Sequence, residues 1–294
     1  MSVVPLLSVE RLSAVSERDG GIPILRDVSL KVAPGEVHGL VGESGAGKST
    51  IARAVLGMLP RGLRVTQGAI LLSGTELLSL EPGRRRPLIG STVALIPQDP
   101  LTALNPGRRI EGQLTDGMRL WKGLGRSEAR RRALALLGEV QMRDPERVLR
   151  CYPHELSGGM RQRVLIAAAF ALEPRLVIAD EPTTALDVTV QRQILRLIRD
   201  MQVRHGTGAI FVTHDLGVVA QICDSLTLLY GGRVMEQGRT ADILARPRHP
   251  YMAALLRAAP RHDRPGEGLC PVPDAVIAAA KAELAAFDRG APHG

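Results

Sequence analysis

The chain has 294 residues, 45% hydrophobic and 23% charged, with a formal net charge of +8 at neutral pH and only 2% aromatic residues. That is an ordinary globular balance for one large domain or a domain with an insertion, with a core built from Leu, Val, Ile and Ala. The longest apolar run, Val164 to Leu172, falls well below the roughly 18 residues needed to cross a bilayer, so this chain is not expected to form a pore by itself. Met1 to Leu12 does not pair a basic segment with a signal-peptide core, which predicts a cytosolic chain. Cys151, Cys223 and Cys270 are scattered and form no CxxC pair, which argues against a disulfide scaffold or a zinc ribbon. The basic excess suits nucleotides, nucleic acid or an anionic membrane face without choosing among them.

In chain order, Leu6–Leu12 and Leu25–Val32 read as strands, the second alternating Val28, Leu30 and Val32 inward against Asp27, Ser29 and Lys31 outward. Pro34-Gly35 turns the chain into the apolar run Val37–Val41. Gly42-Glu43-Ser44-Gly45-Ala46-Gly47-Lys48-Ser49-Thr50 follows, and then the helix-like Ile51–Leu56. Strand, glycine-rich loop and helix in that order form the setting in which this spacing becomes a phosphate cradle. Another short strand, Ala69–Leu72, ends at Ser73-Gly74.

Four further apolar runs, Val93–Ile96, Leu176–Ala179, Ala209–Val212 and Leu226–Leu229, have the character of parallel strands buried on both faces. The first three run into Gln98, the pair Asp180-Glu181, and Thr213-His214. Ligands of open α/β sheets sit beyond the carboxyl ends of the strands, so these side chains are expected to converge on the loop at 42–50. Between Gln98 and Asp180 the chain turns arginine-rich with helical apolar spacing, and Ser127 reads as the N-cap of a helix over Glu128–Gly138. Ser157-Gly158-Gly159 breaks that region before a helix starting at Met160. Past Arg246 come several prolines, an Ala-rich helix-like stretch over Asp274–Phe287 and a Gly/Pro/His tail expected to fray.

The chemistry follows from the residue types. Gly42, Gly45 and Gly47 let successive N–H groups and a helix N-terminus face one anion. Lys48 would reach the β and γ phosphates, and the Ser49 hydroxyl would sit on Mg²⁺. Asp180 ends a buried strand where a carboxylate holds the ion, and Glu181 is the group to polarise the attacking water. The Gln98 amide is a further ligand for Mg²⁺ or that water, and His214 a donor to the γ-phosphate. Ser157, Gly158 and Gly159 at a helix start make a second anion site. A head-to-tail dimer would lay it over the γ-phosphate held by the other copy's loop. Arg84–Arg86 and Arg130–Arg132 are basic runs of the kind that usually form solvated faces.

Together these motifs resemble the ATP-binding subunits of ABC transporters, over about residues 5–245. GESGAGKST looks like the Walker A loop, Gln98 the Q-loop glutamine, and Leu156-Ser157-Gly158-Gly159-Met160 the signature. Leu176 to Glu181 is similar to Walker B with its catalytic glutamate, Ala185-Leu186-Asp187 to the D-loop at the dimer seam, and His214 to the switch histidine. The segments at 96–106, 152–163, 178–191 and 247–256 resemble the oligopeptide, dipeptide and nickel import branch.

The resemblance implies an α/β P-loop NTPase of RecA-like type, with a parallel-sheet core, an antiparallel β subdomain and a helical insertion. The ATP-binding domain would span 1–245, with core and β subdomain at 1–100 and 160–245 and the helical subdomain at 101–159. Residues 246–294 would be a C-terminal extension. It also implies an ATPase that uses ATP and Mg²⁺ and is peripheral at the cytoplasmic face of the membrane. Its partners would be two transmembrane permease subunits, a second ATP-binding subunit and, indirectly, an extracytoplasmic solute-binding protein. No nucleic acid is expected. The alternatives are an accessory ABC ATPase of a soluble enzyme complex or a nucleic-acid-linked ABC ATPase. Two departures stand out: Val15–Arg26 holds no aromatic ring to stack on adenine, leaving Ile22, Ile24 or Arg18, and Cys270 alone follows the HPY motif, too few thiols for an iron-sulfur cluster.

Overall fold

The computed structural model describes residues 4–184, 187–258 and 271–290, so Ala185, Leu186 and Cys270, together with the tail from residue 291, lie outside the described residues. The chain runs β1 (Leu7–Ser16), β2 (Ile22–Val32), β3 (Val37–Val41), α1 (Lys48–Val55), β4 (Leu63–Leu72), β5 (Thr75–Glu76), α2 (Pro82–Thr92) and β6 (Val93–Ile96). Helices α3 (Pro100–Ala103), α4 (Ile110–Lys122), α5 (Arg126–Glu139), α6 (Pro145–Arg150) and α7 (Gly158–Phe170) lead to β7 (Leu176–Asp180) and α8 (Val188–His205). Then follow β8 (Gly208–Thr213), α9 (Leu216–Ile222), β9 (Ser225–Tyr230), β10 (Arg233–Arg239), α10 (Thr240–Ala245), α11 (Pro250–Ala258) and α12 (Asp274–Gly290). Two compact units result: residues 1–32, 36–79 and 211–294 in one, 33–35 with 80–210 in the other, the division passing through β8.

The first unit holds a four-stranded sheet in the order β2-β1-β4-β5, antiparallel throughout. The expected alternation in β2 is present, with Val28, Leu30 and Val32 buried and Asp27 and Lys31 exposed. The same unit carries the strand order β10-β9-β3-β8, in which β3 and β9 are parallel and β9 and β10 form an antiparallel hairpin. Gly231 and Gly232 turn that hairpin with φ of 52° and 77°, the left-handed pair that a two-residue turn between right-twisted strands requires. Helix α12 is tied down here: Arg26 Nε and a second guanidinium nitrogen reach the Asp288 carboxylate at 2.7 and 3.0 Å, and Arg26 also donates to the Gly231 carbonyl at 2.6 Å.

The root of β3 is polar but satisfied. Ser225 donates to the Glu36 carboxylate, so the Ser225 oxygen accepts from His38 Nδ1 at 2.7 Å, and His38 Nε2 accepts from the Thr227 hydroxyl at 2.9 Å. Burial lowers the His38 pKa to about 4 against the opposing pull of Glu36. The unfolded chain, with His38 at its ordinary value, therefore takes up this proton first as pH falls. This one group costs on the order of 3 kcal/mol of stability across the window from about 6.5 down to about 4. Urea titrations across that range should show wild type losing stability more steeply than His38→Gln; equal slopes would remove His38 from the account.

The second unit holds the strand order β8-β7-β6, with β6 and β7 parallel, and the helices α2 to α8. β7 and β8 are buried almost throughout, as expected, whereas Ala94 and Leu95 of β6 are not, because β6 is the last strand in the order. Helix α5 begins at Arg126 after Gly125, so Ser127 lies inside the first turn and is not the cap its type suggested. The run Arg130–Arg132 is a solvated face: Arg130 pairs with Glu146, Arg131 with Glu128 and Arg132 with Glu173. No helix among the described residues is long and apolar enough to cross a membrane.

Candidate functional site

In the first unit, β3 is buried at all five positions and delivers the chain into the glycine-rich loop. The loop follows because side chains are forbidden where it turns. A Cβ on Gly42 would lie 2.4 Å from the Leu229 carbonyl oxygen, and one on Gly47 would lie 2.7 Å from the Leu25 side chain, with φ of 153° and 97° at the two positions. Gly47 caps α1, whose first residue is Lys48, and no acidic residue stands in that first turn. The helix N-terminus therefore turns its first N–H groups and a positive dipole end to the loop. Lys48 is 5% exposed, and its ammonium donates to the carbonyls of Gly42 at 2.6 Å and Glu43 at 2.8 Å. Glu43, Ser44 and Gly45 are exposed and Ser49 and Thr50 half-buried, so the concave loop is open to a ligand. Backbone donors, a helix N-terminus and a confined lysine together fit a polyphosphate.

His214 follows β8 in the same unit. It is exposed, and Asp215 behind it caps α9 by accepting from the N–H groups of Gly217 and Val218 at 2.7 and 3.3 Å. The cap fixes where the strand ends, and so where His214 leaves it.

In the second unit, β7 buries Leu176 to Ala179 and ends at the half-buried Asp180. Glu181 directly follows with φ of 46°, a left-handed conformation that a non-glycine residue adopts only when its surroundings enforce it. Thr184 enforces it: the Thr184 hydroxyl donates to Glu181 Oε2 at 2.9 Å, and the Thr184 N–H donates to the Glu181 carbonyl at 3.3 Å. One turn beyond the signature serine, Gln162 is 1% exposed and donates to the Pro182 carbonyl at 2.9 Å, linking α7 to the acidic strand end. Neither Thr184 nor Gln162 was singled out in sequence; a polar residue on the apolar face of α7 was the available signal.

Ser157 caps α7, its hydroxyl accepting from the Met160 N–H at 3.4 Å. The helix thus starts at Gly158, two residues before the expected Met160, because the cap residue itself stops the preceding segment. Ser157 and Gly158 are exposed, and nothing lies within 4 Å of a Cβ built on Gly158, so the turn offers its amides outward. Gln98 is exposed two residues past β6, and Asp99 caps α3. Asp187 caps α8, accepting from the N–H groups of Thr189 and Val190 at 3.0 Å.

Ser49 in the first unit, and Asp180 and Gln98 in the second, each carry a hard oxygen of the kind that Mg²⁺ takes. The arrangement within the two units supplies an anion cradle in one and a carboxylate pair with an exposed helix-start turn in the other.

Residues 25–184 match the family described as "ABC transporter", and residues 235–285 match the family described as "Oligopeptide/dipeptide transporter, C-terminal region". The chain is similar to the probable D,D-dipeptide transport ATP-binding protein DdpD of Escherichia coli strain K12, with 47% identity over 92% of this chain and 84% of that protein. It is 43% identical to the oligopeptide transport ATP-binding protein OppD of Salmonella typhimurium strain LT2, over 87% of this chain and 76% of that one. Among solved structures, cbiO1 from Clostridium perfringens, part of the ABC transporter complex cbiONQ, superposes with a TM-score of 0.72 at 27% identity, covering 82% of this chain and 91% of its own.

Proposed function

The chain belongs to the ABC transporter family of ATP-binding subunits, and from that membership we propose that it hydrolyses ATP to drive the import of peptides through a membrane complex. The observation that carries the peptide reading is the match of residues 235–285 to the oligopeptide/dipeptide transporter C-terminal region, on the same chain as the ABC transporter match at 25–184. The names of its relatives point to the same solute class.

In this reading the loop Gly42–Thr50 takes the triphosphate and Lys48 pairs with its β and γ phosphates. Lys48 supports this by lying confined against the loop's own carbonyls. Ser49, Gln98 and Asp180 are the residues that would hold Mg²⁺, and the ion would supply positive charge against the phosphates. Glu181 accepts a proton from the attacking water, and His214 donates to the γ-phosphate. A second ATP-binding subunit closes on the first, so that Ser157, Gly158 and Gly159 of one face the γ-phosphate on the other, with Asp187 at the seam. The exposure of that turn supports its use by a partner. The helical segment 101–159 meets two permeases, an extracytoplasmic binding protein selects the solute, and the subunit lies peripherally at the cytoplasmic face.

The test is reconstitution of the full chain with its second ATP-binding subunit, permeases and binding protein in liposomes. Added peptide should raise ATP hydrolysis and accumulate inside. Hydrolysis indifferent to peptides, or a chain that co-purifies with soluble enzymes and no permease, would overturn the assignment.

A further inference from the structure

The phosphate loop is gripped by residues that lie far from it in sequence. Glu43, the second residue of the loop, has a backbone carbonyl that accepts from Lys48 at 2.8 Å and from the Ala46 N–H at 3.2 Å. The Ala46 carbonyl accepts in turn from the Gly232 N–H at 3.0 Å, so the β9–β10 turn bears on the same loop. Tyr230 ends β9 just before that turn, and its ring meets the ring of Tyr251 edge-on, with centroids 4.8 Å apart and planes at 64°.

Tyr251 is fully buried at the start of α11 and is set there by its own neighbours. The Glu236 carboxylate accepts from the N–H groups of Arg248 and His249 at 2.9 and 3.0 Å, and His249 Nδ1 accepts from the Tyr251 N–H at 3.1 Å. The Tyr251 hydroxyl is buried and completes no hydrogen bond. Burial, and then the Glu43 carboxylate facing it, push its pKa well above the ordinary tyrosine value; the same two causes raise that of Tyr230. A buried hydroxyl without a partner costs roughly 1–3 kcal/mol, a cost phenylalanine would avoid in the same ring pocket. The hydroxyl is therefore explained by the acceptor it faces.

We infer that Tyr251 is a positioning residue for nucleotide binding: seated against Tyr230 and directed at the Glu43 carboxylate, it fixes the loop residue whose carbonyl holds Lys48. The inference rests on the reading above that this loop binds ATP. When the triphosphate enters, a small rotation of Glu43 completes the bond to the hydroxyl and holds the loop in its binding form.

The test is a double-mutant cycle on the full chain, with MgATP titrated into wild type, Tyr251→Phe, Glu43→Ala and the double variant, and Tm recorded for each. Tyr251→Phe should weaken ATP binding about fivefold while leaving Tm equal or higher, since it removes an unsatisfied buried hydroxyl. The double variant should bind no more weakly than Glu43→Ala alone. Wild-type affinity in Tyr251→Phe, or effects that multiply in the double variant, would overturn the inference. Wild-type affinity in Lys48→Ala would instead remove the ATP reading of the loop itself, so the two failures are distinguishable.

Discussion

Glu181→Gln should all but abolish ATP turnover while ATP binding survives. The expected loss is roughly a hundredfold to ten-thousandfold, the range that a positioned general base contributes. Binding should be spared because the groups proposed to grip the phosphates, the loop amides and Lys48, belong to a different segment. The variant is close to isosteric: an amide oxygen in place of Oε2 still accepts from the Thr184 hydroxyl, so the left-handed turn at Glu181 persists. What disappears is a group able to take a proton from water. Phosphate release measured beside equilibrium ATP binding separates the two. A variant that keeps more than about a tenth of wild-type turnover would show that Glu181 is not the base.

The legible parts of this fold are those in which cause and effect are close in sequence. The segment from β3 through the glycine-rich loop to α1 was readable because three glycines and a lysine sit within a few residues, and the positive φ values at Gly42 and Gly47 are their direct consequence. The buried strands β7, β8 and β9 announced themselves as continuous apolar runs. β10 did not: Arg233–Arg239 is polar at most positions, and its place as the last strand in its order is set by pairing with β9 through the Gly231-Gly232 turn. Helix α2 was equally silent, since it begins at Pro82, contains Pro87 and buries only Ile89, leaving no apolar period to read.

The same rule divides the candidate site. The roles proposed for Lys48, Asp180 and Glu181 could be read from local order, whereas Thr184 and Gln162 enter through hydrogen bonds that only the folded chain shows. The contact of Tyr251 with Tyr230 joins two elements separated by β10 and α10, and nothing in the spacing of either residue foretold it.

Ser157→Arg should remove turnover without touching the subunit's own ATP affinity. The serine is exposed at the start of α7 and its hydroxyl accepts a long 3.4 Å bond from Met160, so losing that hydroxyl costs the helix about 1 kcal/mol and leaves the fold intact. The new guanidinium is bulky, stands at the positive end of the helix and fills the outward turn that a second subunit's γ-phosphate would approach. Closure of the dimer is then blocked sterically, and turnover should fall by about a hundredfold or more, in line with losing oriented donors at a developing charge. Mixing supplies the decisive control. A Ser157→Arg chain retains a working loop, and a Lys48→Ala chain retains a working serine turn. For a chain that pairs with itself, equal mixing gives half mixed dimers, each with one intact site of two, so about a quarter of wild-type turnover should return. Two inactive variants that regain activity only together require that the pocket be shared between subunits. Normal hydrolysis by Ser157→Arg alone would place the whole reaction within one chain and end the dimer mechanism.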